Sequence, residues 1–101
     1  MIYITQLIYI VEGQEAVFDA FEALALPIIP KYNGQLLFRL RPGGGAFIES
    51  KLEHPYEIHF VSFDTENDLN NYMLDEERKS FLHLKNQSIR SAMLIKGEKM
   101  G

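Results

Sequence analysis

The chain has 101 residues, 10 basic against 14 acidic side chains and a formal net charge of −4, which suits one domain and argues against a phosphate-backbone or anionic-membrane partner. Cysteine is absent, so disulfides, thiolate metal sites and cysteine nucleophiles are excluded, and a reducing cytoplasmic location is expected. Apolar residues make up 47% of the chain, ordinary globular usage, so a packed core is expected rather than disorder.

Residues 2–11 read as a strand that is apolar on both faces. Ile2, Ile4, Ile8 and Ile10 lie on one side and Tyr3, Leu7 and Tyr9 on the other, with Thr5 and Gln6 as polar exceptions. An antiparallel sheet with one wet face alternates apolar and polar residues. This strand does not, so both faces are expected to be covered, one by helices and one by a second copy of the sheet. The segment does not read as a targeting signal, because it has no basic start, Gln6 interrupts it and Glu12 follows. It is also too short to cross a bilayer.

A helix is expected over 14–32, with Val17, Phe18, Phe21, Leu24, Ala25 and Ile28 as its apolar stripe and Glu15, Asp19 and Glu22 on the opposite face. Pro27 ends the regular helix near Leu26, and Asn33-Gly34 supplies positive-φ positions for the exit. Residues 35–41 form a second strand, with Arg39 and Arg41 on one face and Leu36, Phe38 and Leu40 on the other. The glycines at 43, 44 and 45 lack the Lys-Ser/Thr of a phosphate cradle and read as a loop, with Phe47-Ile48 as a short strand extension.

Residues 56–63 are a third, nearly continuous apolar strand carrying Glu57, His59 and Ser62. Thr65 and Asp68 make a variant capping box for a helix over 67–85, whose buried stripe is Leu69, Tyr72 and Met73. Asp75-Glu76-Glu77 breaks the pattern, so a second short helix anchored by Phe81, Leu82 and Leu84 is expected. A last strand spans 89–96, and 97–101 frays. The order βαββαβ predicts an α+β chain, residues 1–101 forming a single ferredoxin-like domain with an antiparallel four-stranded sheet.

Several local signatures resemble those of the dimeric α/β-barrel superfamily, and most closely a small family described as a domain of unknown function. The resemblance rests on Lys31-Tyr32-Asn33-Gly34 leading into the strand with Arg39, on Glu49 in the connection, and on Phe63-Asp64-Thr65 opening a helix with Tyr72. Arg90 and Gly97 complete it. Asn33-Gly34 stands where that family usually has a Gly-Gly pair, and the stretch from Met73 to Arg78 departs from its form. The resemblance implies two protomers stacking their sheets into an eight-stranded barrel. Its relatives include cofactor-free monooxygenases, haem-degrading enzymes, lactone isomerases and ligand-sensing modules, among which fold alone does not choose.

His59 is the sharpest candidate for chemistry. Glu57 lies on the same strand face, and with Tyr3 or Thr5 of the first strand the pair reads as an acid/base couple in a pocket. The competing reading is a core histidine satisfied by a neighbouring hydroxyl or carboxylate. Arg39 and Arg90 read either as clamps for an anionic ligand or as partners of Glu49, Glu53 or Glu57. In haem-degrading relatives a helix histidine ligates iron, which makes His83 worth naming, but nothing around it enforces that role. His54, His59 and His83 show no close ligand spacing, so no metal and no cofactor is expected.

The expected function is therefore that of a small homodimeric protein binding a small organic ligand, with catalytic His59 and ligand-binding Tyr3, Thr5, Arg39, Glu57 and Arg90. The alternative is a cofactor-free monooxygenase or isomerase acting on a small aromatic or carboxylate-bearing substrate. No nucleic acid and no membrane is expected as a partner.

Overall fold

A computed structural model describes residues 1–101. Its strands β1 (Ile2–Ile10), β2 (Gly34–Leu40), β3 (Glu57–Phe63) and β4 (Ile89–Gly97) form one antiparallel sheet in the order β2-β3-β1-β4. The two most buried strands, β1 and β3, are the central pair. Helices α1 (Glu15–Ala25), α2 (Glu66–Met73), α3 (Glu76–Lys79) and α4 (Leu82–Ser88) are the helical elements between the strands, completing an α+β ferredoxin-like fold. No helix is long and apolar enough to cross a membrane.

Helix α1 stops where Pro27 removes the next backbone donor, and the chain continues as a 3-10 helix over Leu26–Tyr32. Asn33 closes that segment in the left-handed region at φ 58. Gly34 does not share a positive φ, contrary to the expectation for this pair. Its need is steric: a Cβ there would meet the Ile29 Cγ2 and a Phe63 ring carbon, each at 2.6 Å. Glycine lets β2 start against the core.

The capping box forms as expected, Asp68 N–H donating to Thr65 Oγ1 at 3.1 Å and Thr65 N–H to the Asp68 carboxylate at 3.2 Å. The acidic run breaks the helix as the pattern implied. Asp75 caps the short α3, its carboxylate accepting from Arg78 N–H at 2.7 Å. The strand extension at Phe47-Ile48 is not present, since Gly44–Ala46 is a single 3-10 turn and residues 47–56 hold no strand.

Ile4, Ile29, Val61, Phe63 and Leu69 make the core between sheet and helices, with Leu36 and Tyr72 packed against it. Leu36 corrects the expected face of β2. The register slips between Leu36 and Phe38, and this bulge puts Leu36 on the helix side with Arg39 while Phe38 turns to the other face. On that other face Tyr3 stacks on Phe60 at 5.6 Å and Phe38 packs on Phe60 at 5.3 Å. Phe38, Leu40, Met93 and Ile95 stay 41–49% exposed, so this face of the sheet is apolar and open in the protomer.

Candidate functional site

Beneath the helices, the sheet carries a buried polar cluster set into the apolar run of β3. Odd-numbered residues of β3 point to the helices, so Glu57 and His59 enter the interior together, 1% and 3% exposed. Arg39 approaches from β2 and grips the Glu57 carboxylate through Nε at 3.2 Å and Nη2 at 3.0 Å. Arg41 adds a third bond through Nε at 2.7 Å, stacks over the Tyr56 ring at 4.9 Å and pairs outward with Asp19. His59 Nε2 completes the set on the second Glu57 oxygen.

These partners decide the protonation states. Burial alone would raise the Glu57 carboxyl, but the bonds from Arg39, His59 and Arg41 together outweigh it and hold it below its ordinary range. Burial lowers the His59 imidazole, and the pull of Glu57 in the opposite sense does not cancel this. A neutral imidazole facing an ionised carboxylate must donate from Nε2, which leaves Nδ1 as the proton acceptor.

Glu22 of α1 comes within 3.9 Å of His59 Nε2. Burial, reinforced by the charge of Glu57, pushes its carboxyl up to about 7. The contact is thus not a standing ion pair. Glu22 had been expected on the solvated face of the helix. It is 4% exposed because it lies four residues after Phe18 and three before Ala25, on the buried stripe, while Leu24 faces out.

A cavity of about 80 Å³ opens beside this cluster, walled by Ile4, Ile8, Phe21, Ile29, Val61 and Phe63. Its polar lining comes from Gln6, Glu22, His59, Tyr72, Arg78 and Lys85. Burial lowers the Lys85 ammonium, with the charge of Arg78 adding to the effect, and burial raises the Tyr72 hydroxyl. The Arg78 guanidinium lies over the Tyr72 ring at 5.1 Å, and its Nε is buried without a hydrogen-bond partner.

His59, Glu57 and Arg39 are therefore brought together as the residue pattern suggested, with Arg39 as the partner of Glu57. Tyr3 and Thr5 are not brought to them. Thr5 sits opposite Phe60, and both residues line a shallow depression on the open face with Phe60 and Ile95. The sheet separates them from His59, so neither orients anything at the imidazole. Arg90 is also elsewhere, paired with Glu53 and lying 5.7 Å over the Tyr9 ring. His83 is exposed.

Ligand atoms of Glu22, Glu57 and His59 lie within 4.8 Å of one another, a spacing compatible with a metal ion. The chemistry does not suit one. The Glu57 oxygens are already occupied by two arginines and the imidazole, so a cation would have to displace guanidinium groups held in the same place. Glu22 was recoverable from helical spacing. Arg78 and Lys85 carried no signal, because their roles arise from where α3 and α4 cross the cavity.

Fold and register thus define a ferredoxin-like α+β protein with a polar-lined cavity between its helices and its sheet, and at the level of the fold the resemblance to the dimeric α/β-barrel superfamily is met. No family model matches the chain, and no curated protein does. Solved structures do. A protein of unknown function from Rhodopseudomonas palustris is 10% identical with a TM-score of 0.83, over 99% of this chain and 82% of that one. A NIPSNAP-family protein of unknown function from Agrobacterium tumefaciens is 18% identical with a TM-score of 0.69, over 96% of this chain and 86% of that one. A protein from Bacteroides fragilis, described as dimeric, of unknown function and ferredoxin-like in fold, is 12% identical with a TM-score of 0.70, over 97% and 95% of the two chains.

Proposed function

We propose that this chain binds a small organic ligand in the cavity between its helices and its sheet, working in the cytoplasm as a homodimer closed across the open sheet face. Convergence carries the ligand reading. Glu22, Tyr72, Arg78 and Lys85 come from four different helices and His59 from the sheet, yet all line one largely apolar cavity. A few convergent polar groups with shifted pKa values in an apolar pocket is the usual composition of a ligand site. The dimer is supported by the exposed Phe38, Leu40, Met93 and Ile95 on one sheet face, and by the dimeric Bacteroides fragilis neighbour.

Thermal-shift measurements against a panel of small metabolites test the binding reading, since a ligand that binds only the folded state raises Tm by mass action. At least one compound is expected to do so in wild type and not in an Ala25→Leu variant, whose side chain grows into the cavity wall. A panel without a single such compound overturns the reading.

A second reading is cofactor-free catalysis, oxygenation or isomerisation of a small aromatic or carboxylate-bearing substrate. One observation favours it: His59 is neutral and anchored through Nε2, a suitable state for a general base acting through Nδ1. In this reading His59→Gln abolishes turnover while leaving ligand affinity within a few fold.

A further inference from the structure

We propose that Arg78 is the anion-receiving residue of the cavity and that the ligand it takes is a short-chain carboxylate of about the size of propionate. The proposal rests on reading the cavity as a ligand site and adds the ligand's charge and length.

The carrying observation is an unsatisfied donor. Arg78 is 8% exposed, lines the cavity, and keeps its Nε buried without a partner. Buried polar groups are almost always hydrogen-bonded, and a buried guanidinium nitrogen without an acceptor is costly. The other arginines near the site are satisfied, Arg39 on Glu57 and Arg41 on Glu57 and Asp19. Arg78 lies over the Tyr72 ring at 5.1 Å, and its Nε meets no acceptor.

Charge points the same way. Glu22 is the one acidic side chain lining the cavity, against the two basic ones Arg78 and Lys85. Glu57 lies behind the wall and is compensated by Arg39 and Arg41, so it does not neutralise Arg78. A ligand carboxylate supplies both the missing acceptor and the missing negative charge. Protonation of Glu22 removes the competing carboxylate, while protonation of Lys85 or His59 adds positive charge. The neutral hydroxyl of Tyr72 does not oppose this, so acidification strengthens anion binding for as long as the ligand carboxyl itself stays ionised.

Volume sets the length. A cavity of ~150 Å³ holds benzene. At about 80 Å³ this one encloses a shorter, thinner molecule, which favours an aliphatic acid over an aromatic one.

The experiment is a ¹H–¹⁵N NMR titration of the protein with sodium propionate and, separately, with the neutral isostere propionamide, at constant ionic strength. Propionate is expected to shift the amide signals of residues around the cavity and to bind roughly tenfold more tightly than propionamide, more so at about pH 6 than at about pH 8. Arg78→Met, of similar length, is expected to erase that preference. If it does not fold, Arg78→Lys keeps the charge, loses the Nε donor, and should still weaken propionate severalfold. Propionate affinity unchanged in the variant that folds overturns the assignment to Arg78. Equal affinity for the two probes in wild type overturns the anion but leaves a ligand cavity standing. Absence of any cavity response to either probe overturns both.

Discussion

Arg39 holds the carboxylate of Glu57 with two of its nitrogens, at 3.2 and 3.0 Å, linking a residue that is 1% exposed to one whose side chain is 36% exposed. Replacing the carboxylate in Glu57→Gln removes the negative charge that Arg39, Arg41 and His59 share and turns one of its two acceptor oxygens into an NH2 donor. Breaking a fully buried pair from one side costs about 3–5 kcal/mol. Here both arginines reach solvent and relax into it, so a loss of about 2 kcal/mol is expected, read as a lower midpoint in urea denaturation with unchanged slope. Wild-type stability in this variant contradicts a structural role for the network.

His59→Ala removes a ring that is 3% exposed and takes one of two hydrogen bonds from a Glu57 oxygen that keeps Arg39 Nε at 3.2 Å. The expected loss is ~1–3 kcal/mol. A midpoint at or above wild type would instead mark His59 as a residue retained for activity at the expense of stability.

Glu22 gives a pH signature of definite sign. Its carboxyl sits at about 7 in the fold against 4.5 as the reference, so between these values the folded state holds a proton that the unfolded state has released. Its contribution is fully present below 4.5 and is lost as pH rises through 7. Glu22→Gln removes this dependence and should be the more stable protein above neutrality, by on the order of 3 kcal/mol. His59 acts in the opposite sense below its ordinary 6.5, because the unfolded chain takes up the proton first. The readout is therefore the difference between wild type and Glu22→Gln across this range. A flat difference refutes the buried, raised carboxyl.

The open sheet face predicts assembly. Sedimentation velocity is expected to show a dimer at micromolar concentration. A charge placed in the patch on the edge strand β2, as in Phe38→Glu, should yield a folded monomer. A wild-type monomer sinks the dimer.

Gly34→Ala places a methyl group 2.6 Å from both Ile29 and the Phe63 ring. Neither neighbour is a flexible chain end, so overpacking of about 1–3 kcal/mol is expected, visible as a fall in Tm. Replacing Gly43, whose Cβ would meet nothing, should leave Tm near wild type.

Local chemistry was enough to read the elements and their order. Apolar runs marked β1 and β3, Pro27 ended α1, Thr65 and Asp68 opened α2, and Asp75-Glu76-Glu77 broke the helix that followed. The side-chain period of a strand also placed Glu57 and His59 on one face. What the sequence could not contain was which face of β1 met them, because alternation is blind to the side on which helices pack. That choice sent Tyr3 and Thr5 to the open face and brought Glu22 to the imidazole. The bulge in β2 was equally invisible, since one slipped residue moves Leu36 into the core without altering composition. Arg78 and Lys85 became cavity residues only through the docking of two short helices, and the shifted protonation of Glu22 exists only because tertiary packing removes it from water. Strand and helix periods are properties of neighbouring residues, whereas a site built from six elements depends on distances that only the packed chain sets.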